Sequence, residues 1–261
     1  MDSLFFFFKQ FSNRLNHPKN LFILLLLSSE GYSQLPDYSS VVEKISPTVV
    51  SIIAMVEKEL EYSIEAEVVP TSFDGPAPTD LNDSQIENGQ HLHNGTGVIL
   101  THDGYIVTNQ HIVQGGIAYF VTLENGFQYP AKFIGSDRLS DLAVLKIEAD
   151  NLPVGKFSEN EDAIKAGQSV LGFGSPYSLS GSVTQGIVSY VNRPLPIMGH
   201  EADYIVFIQT NLLINPGNSG GPVVNHKGEI IGINSKLLSD TGNSTGVAFA
   251  NSAKLMKKFL C

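Results

Sequence analysis

The sequence predicts an all-β protein built as two stacked antiparallel barrels. Short β-branched and aromatic runs recur along the chain, separated by glycine, proline and asparagine turns. The 24 glycines and 13 prolines among 261 residues suit a turn-rich sheet protein better than a helical bundle. The runs also fall into two series, one ending near Ile147 and the other beginning after Gly155, and no internal repeat is visible. With 42% hydrophobic residues, a chain of this length can bury one or two sizeable cores.

Residues 1–33 read as a targeting segment. Lys9, Arg14 and Lys19 precede the run Leu21-Phe22-Ile23-Leu24-Leu25-Leu26-Leu27, and small or polar residues follow to Ser33. A positive region, a short apolar core and a small-residue exit fit a secretory signal. The apolar run falls short of the roughly 20 residues of a spanning helix. Phe5 to Phe8 are unusual for a signal, so an uncleaved membrane anchor is the alternative reading.

Residues 34–155 hold the expected first barrel. Within 39–46, Val41, Val42 and Ile45 recur at helical spacing and Pro47 ends the helix. The β-branched run 48–54 is the first strand. Residues 57–94 change character: acidic residues crowd from Glu57 to Glu87 against the single Lys58, and Pro70, Pro76 and Pro78 break regular structure. The stretch is expected to be an acidic insertion in a loop. His91 and His93 alternate at its end; with no third ligand nearby they read as solvated loop residues, and no metal site is expected. Strands are expected at 95–100 and 105–108, joined by the hairpin turn His102-Asp103-Gly104. Further strands are expected at 121–123, 131–134 and 142–147, with a linker near 150–165.

Residues 156–261 hold the expected second barrel. Its strands are expected at 169–172, 182–190, 204–209, 222–225, 229–235 and 246–250. A terminal helix over 252–260 carries Leu255, Met256 and Phe259 on its apolar face.

Charge and cysteine content exclude several classes of function. The formal net charge is −10 and the isoelectric point near 5.1, which argues against nucleic acid as a partner. Cys261 is the single cysteine, so no intrachain disulfide and no cysteine-based zinc site can form. No cofactor is expected.

The chemistry concentrates in Asn215-Pro216-Gly217-Asn218-Ser219-Gly220-Gly221-Pro222, a serine among glycines between two apolar runs. Glycines gather where backbone bends sharply or approaches something closely. A nucleophilic serine needs an exposed hydroxyl and nearby backbone N–H groups for a developing oxyanion. Standing alone, such a stretch is more often only a tight turn, so a base and an orienting acid are required. Of the seven histidines, His111 alone directly follows an apolar strand and precedes Ile112-Val113, which would pin its backbone. Asp141 opens Leu142-Ala143-Val144-Leu145, where an unpaired acid would be costly. Asp137 competes, but Asp137-Arg138 reads as a turn with a local ion pair, and Asp103 lies at a hairpin tip.

Together Thr108-Asn109-Gln110-His111-Ile112-Val113, Ser140-Asp141-Leu142-Ala143-Val144-Leu145 and Asn215 to Pro222 resemble the HtrA (Deg) branch of the chymotrypsin-like serine proteases, in the order His, Asp, Ser. The resemblance runs roughly from Val41 to Leu255. It implies two six-stranded antiparallel barrels with the active site in the cleft between them. His111 would be the general base, Asp141 its orienting acid and Ser219 the nucleophile. Backbone N–H groups of Gly217 and Ser219, with Asn218, would form the oxyanion hole. Ile214, Ile233 and Leu237 would line an apolar S1 site, since no acid lies between Gln209 and Ser219. Lys236 stands where relatives often have a small residue, and Gln110 where they often have asparagine.

Digestive enzymes of this superfamily carry an aspartate in place of Asn218, and it pairs with a new terminal amine after zymogen cleavage. A neutral amide cannot make that pair, so loop order is expected to control the oxyanion hole. The branch usually continues into PDZ domains; this sequence reads as the protease domain alone. The resemblance implies a serine endopeptidase acting on misfolded or exposed polypeptides in an extracytoplasmic compartment, the periplasm. It admits a homotrimer, and membrane association through residues 1–33. The rival reading is a catalytically weak, chaperone-like binding protein on the same fold.

Overall fold

The structure, a computed structural model, describes residues 36–56, 84–87, 90–175, 181–194, 206–237 and 244–260. The targeting segment and most of the acidic insertion lie outside the described residues. Residues Tyr38–Cys261 form one unit. Helix α1 (Ser39–Ile45) presents Val41 and Ile45 to the interior, and a 3-10 turn holding Pro47 carries it into β1 (Val49–Val56). There, β-branched residues alternate between buried and half-buried positions, as a strand lining a barrel requires.

The first sheet contains β2 (Ser84–Glu87), β3 (Gln90–Ile99), β4 (Tyr105–Thr108), β5 (Gly116–Thr122), β6 (Gln128–Asp137) and β7 (Leu142–Ile147) besides β1. Its order is β1-β5-β6-β7-β4-β3-β2, and antiparallel pairing of β1 with β3, from Val49 opposite Val98 to Val56 opposite His91, closes six of these strands into a barrel. The second sheet is a closed barrel in the order β10-β13-β12-β11-β8-β9. Its strands are β8 (Ser169–Gly174), β9 (Ser182–Pro194), β10 (Val206–Thr210), β11 (Pro222–Asn225), β12 (Ile230–Leu237) and β13 (Ala248–Ser252).

Each barrel fills its own interior. Ile52, Ile99, Ile106, Val121 and Leu145 pack in the first, and Val170, Val188, Ile208, Leu212 and Ile231 in the second. A third cluster bridges them: Val98, Val107 and Leu142 meet Leu171, Phe173, Val224, Ile230 and Ile233. Ile45 from α1 and Met256 from the terminal helix α2 (Ala253–Leu260) complete it, with Leu255 and Phe259 packed at its edge.

Three sequence expectations are corrected. The insertion does not stay irregular to residue 94: β2 and β3 form a hairpin there, with Glu87 opposite Gln90. His93 is therefore a strand residue between Ala54 and Ser84, not part of a solvated loop. Acidic composition hid this pairing, because backbone hydrogen bonds to β1 need no apolar side chains. Strands β5 and β6 are longer than expected. Their solvent-facing positions include Ile117 and Phe133, so no clear inside–outside alternation marks them. Strand β9 likewise runs to Pro194, and beyond Tyr190 half-buried and exposed residues alternate without a buried one.

Candidate active site

His111 is placed by the end of β4. Thr108 and Asn109 are fully buried, and one helical turn, Gln110–Val113, follows. Ile112 and Val113 anchor that turn in the first barrel's core, which leaves His111 half-buried at the barrel rim. Asp141 reaches the same place from the turn before β7. Its φ of 53° lies in the left-handed region, which aspartate tolerates better than most residues with a Cβ. Its carbonyl oxygen accepts the Gln110 N–H at 3.1 Å and the Asn109 side-chain amide at 2.9 Å, so the neighbours of His111 clamp the turn that carries the acid.

The Asp141 carboxylate is almost wholly engaged. Its two oxygens lie 3.0 and 2.9 Å from His111 Nδ1, and Oδ1 also accepts the His111 N–H at 3.0 Å. Ser235 Oγ donates to Oδ2 at 2.7 Å from the second barrel. Burial pushes the Asp141 carboxyl up. The facing His111 ring, together with the hydrogen bonds from His111 and Ser235, more than offsets this and holds it below the ordinary carboxylate range. An ionised carboxylate only accepts, so Nδ1 carries the proton and Nε2 is the nitrogen left to exchange one.

Ser219 lies across the seam at the corner of two turns. The Asn218 N–H donates to Asn215 O at 3.0 Å, and the Gly221 N–H to Asn218 O at 3.1 Å. Gly217 (φ 94°) and Gly220 (φ 84°) occupy the third positions of these turns, where a type II geometry needs positive φ. A Cβ on Gly220 would collide with the Thr96 carbonyl oxygen, and one on Gly221 with that of Phe173. The first barrel holds this loop directly: the Thr96 N–H donates to Ser219 O at 2.8 Å and Thr96 Oγ1 to Gly217 O at 2.6 Å.

The structure thus pairs His111 with Asp141 and holds the Ser219 loop against β3 of the same barrel. Asn218 differs from Gly217 and Ser219, because its N–H is committed to the turn. Ile214 and Ile233 do not share one packing cluster: Ile214 is in the second barrel's interior, and Ile233 is fully buried in the layer between barrels. Leu237 ends β12; its side chain lies outside the described residues. The expected Asp137–Arg138 ion pair is replaced by a capped turn. Asp137 accepts from the N–H groups of Leu139 and Ser140 and from Ser140 Oγ at 2.6 Å, because backbone donors lie closer than any cation. Asp103 stays in its hairpin turn. Among the described residues no cluster of His, Cys, Asp and Glu could hold a metal ion.

Sequence reasoning missed Ser235 and Thr96. A hydroxyl within the apolar run of β12 was a signal for the first. The second was hidden, because a threonine in a strand is ordinary.

Two closed barrels with a buried carboxylate–imidazole pair at the rim of one and a serine loop on the other define the class of trypsin-like peptidase domains. The family model described as a trypsin-like peptidase domain matches residues 95–233. A probable periplasmic serine endoprotease, DegP-like, of Marinomonas sp. (strain MWYL1) is 39% identical over 239 residues, covering 85% of this chain and 49% of that protein. A protein of the same description from Hahella chejuensis (strain KCTC 2396) is 42% identical over 233 residues, covering 84% and 47%. Among solved structures, the HtrA-type protease AlgW with decapeptide superposes with a TM-score of 0.68 at 32% identity, covering 86% of this chain and 66% of that one. The same protease with tripeptide gives 0.67 at 31%, covering 86% and 62%. The chain belongs to the trypsin-like peptidase family, in its HtrA (DegP-like) branch. It spans about half the length of the curated relatives it matches.

Proposed function

We propose that this chain is a serine endopeptidase that cleaves misfolded or exposed polypeptides through an acyl-enzyme. The observation that carries the reading is the Asp141 carboxylate on His111 Nδ1, 2.9 Å away and buried, beside a serine loop bonded to the same barrel. In this reading Ser219 Oγ attacks the scissile carbonyl carbon while His111 Nε2 takes its proton. The carbonyl oxygen becomes the oxyanion and accepts from the N–H groups of Gly217 and Ser219, neither of which has an acceptor among the described residues. Collapse breaks the C–N bond, and the imidazolium gives its proton to the leaving amine. Water then enters, loses a proton to Nε2 and attacks the ester carbon; collapse breaks the bond to Ser219 Oγ, which takes the proton back from the imidazolium, and the new carboxyl product leaves. Asp141 stays ionised throughout and stabilises the imidazolium.

For substrate, the reading takes small or medium aliphatic P1 residues, with Ile214 and Leu237 as wall residues and Ile233 backing them from the buried layer. The relatives' names support an extracytoplasmic, periplasmic location. Among the described residues no helix is long and apolar enough to cross a membrane. In this reading the apolar run within residues 1–33 carries membrane association, and the resemblance to the branch supports a homotrimer built through the N-terminal part of the domain. Covalent labelling by a serine-directed fluorophosphonate, abolished in Ser219→Ala, tests the central claim. Folded parent protein that takes no label would overturn it.

A further inference from the structure

Thr96 is fully buried, and all of its polar groups are engaged around the serine loop. Its N–H donates to Ser219 O and its hydroxyl to Gly217 O, at 2.8 and 2.6 Å. The same hydroxyl accepts the Ser175 N–H at 2.9 Å, where the chain leaves β8. Its carbonyl oxygen accepts Thr108 Oγ1 at 2.7 Å, from the strand that leads to His111. One residue of the first barrel thus touches the strand before the base, both flanks of the serine turn and the exit of β8.

We propose that Thr96 is a positioning residue whose hydroxyl fixes the peptide on which the oxyanion donors depend. The inference rests on the proposed role of Ser219. A peptide unit is planar, so holding Gly217 O also holds the Asn218 N–H, which closes its turn on Asn215 O at 3.0 Å. Gly217 is the residue of that turn with the most backbone freedom. Without a donor on its carbonyl, the segment from Gly217 to Ser219 loses the constraint that aims its two N–H groups at one point. Packing alone does not account for a hydroxyl here, since valine would fill the same volume. The hydroxyl donates its one proton to Gly217 and accepts from Ser175, so its rotor has a single setting. Ser175 and Gly217 are thereby linked through one oxygen, and a shift of the chain leaving β8 reaches the oxyanion peptide by that route.

The test compares Thr96→Val and Thr96→Ser in the full chain, with a peptide substrate carrying an aliphatic P1 residue and a peptide boronate as tetrahedral mimic. Thr96→Val is expected to lower kcat about 10- to 100-fold, because small misplacements of such donors act on the transition state, with KM changed less than about twofold. Boronate affinity falls by the same factor as kcat/KM. Thr96→Ser keeps the hydroxyl and stays within about threefold of the parent kcat. An unchanged kcat in folded Thr96→Val, or a rise in KM alone, overturns the proposal. Should Thr96→Val fail to fold by circular dichroism, Thr96→Ser decides: a kcat near the parent's supports the role, and a loss of about tenfold or more with the hydroxyl present overturns it. Parent protein without Ser219-dependent labelling removes the proposed function and this inference together. A labelled parent beside a fully active Thr96→Val removes this inference alone.

Discussion

Asp141 combines burial, a left-handed backbone and a carboxylate with donors on both oxygens. If His111 is the base, Asp141→Asn leaves the packing in place but offers Nδ1 an amide, which favours the wrong tautomer. A fall in kcat of roughly 10⁴ is expected from steady-state kinetics, with folding retained by circular dichroism. The lowered carboxyl also sets the sign of a pH effect. A carboxyl depressed in the folded state adds stability above its unfolded pKa of about 3.9, and this is lost as pH falls through the folded value. Urea melts of parent and Asp141→Asn should therefore differ at neutral pH and converge in acid below about pH 4. Divergence on acidification would contradict the assignment. Ser235→Ala removes one donor from Oδ2 while leaving His111 in place. A smaller loss is expected, roughly 10- to 100-fold in kcat, about the worth of one hydrogen bond to a charged group. The pair was legible because an acid beside an apolar strand demands a partner. Ser235 was legible only as a hydroxyl within the apolar run of β12, since its partner Asp141 lies far away in sequence and no local pattern names it.

The serine loop shows how glycine positions divide by what surrounds them. Gly220 and Gly126 have nearly the same φ, 84° and 83°. A Cβ at Gly126 meets nothing within 4 Å, whereas one at Gly220 collides with the Thr96 carbonyl. Gly126→Ala is expected to cost about 1 kcal/mol, the strain of a left-handed residue alone. Gly220→Ala adds displacement of backbone from β3 and is expected to cost about 3 kcal/mol or more, with loss of serine labelling. Denaturant melts of the two variants measure the difference, and equal costs would deny the close approach of loop and strand. Most strands were legible from their apolar runs, because those runs supply the buried residues of the barrel interiors. The hairpin of β2 and β3 was not. It lies among acidic residues, and its pairing is made by backbone, which composition does not report. The lengths of β5 and β6 were missed for a related reason, since Phe133 and Ile134 are exposed and break the expected alternation.

At the scale of the molecule, the two barrels are joined by an apolar layer that includes Phe173, and Asn218 lies against the next residue, Gly174. Asn218 is 5% exposed, its Oδ1 is buried without a hydrogen-bond partner among the described residues, and it lies so close to Gly174 that a Cβ there would strike it. A neutral amide tolerates such a site at moderate cost, whereas a carboxylate would need a cation, and no ion pair reaches Asn218 among the described residues. The resemblance drawn from the sequence places an activating terminal amine at this position in digestive enzymes. Here the site carries no charge to receive one. Chemical blocking of the N-terminal amine should accordingly leave serine labelling and kcat unchanged. Asn218→Asp completes the test. An acid buried without a cation has a raised folded pKa, so its cost is absent below the unfolded value of about 3.9, grows as pH rises between the unfolded and folded values, and is complete above the folded one. Melts of Asn218→Asp and parent should nearly coincide near pH 4 and separate by about 3 kcal/mol or more at pH 8. If the variant instead matches the parent at pH 8, and blocking the amine then destabilises it, a terminal amine does reach the site and control of the oxyanion hole by loop order is overturned.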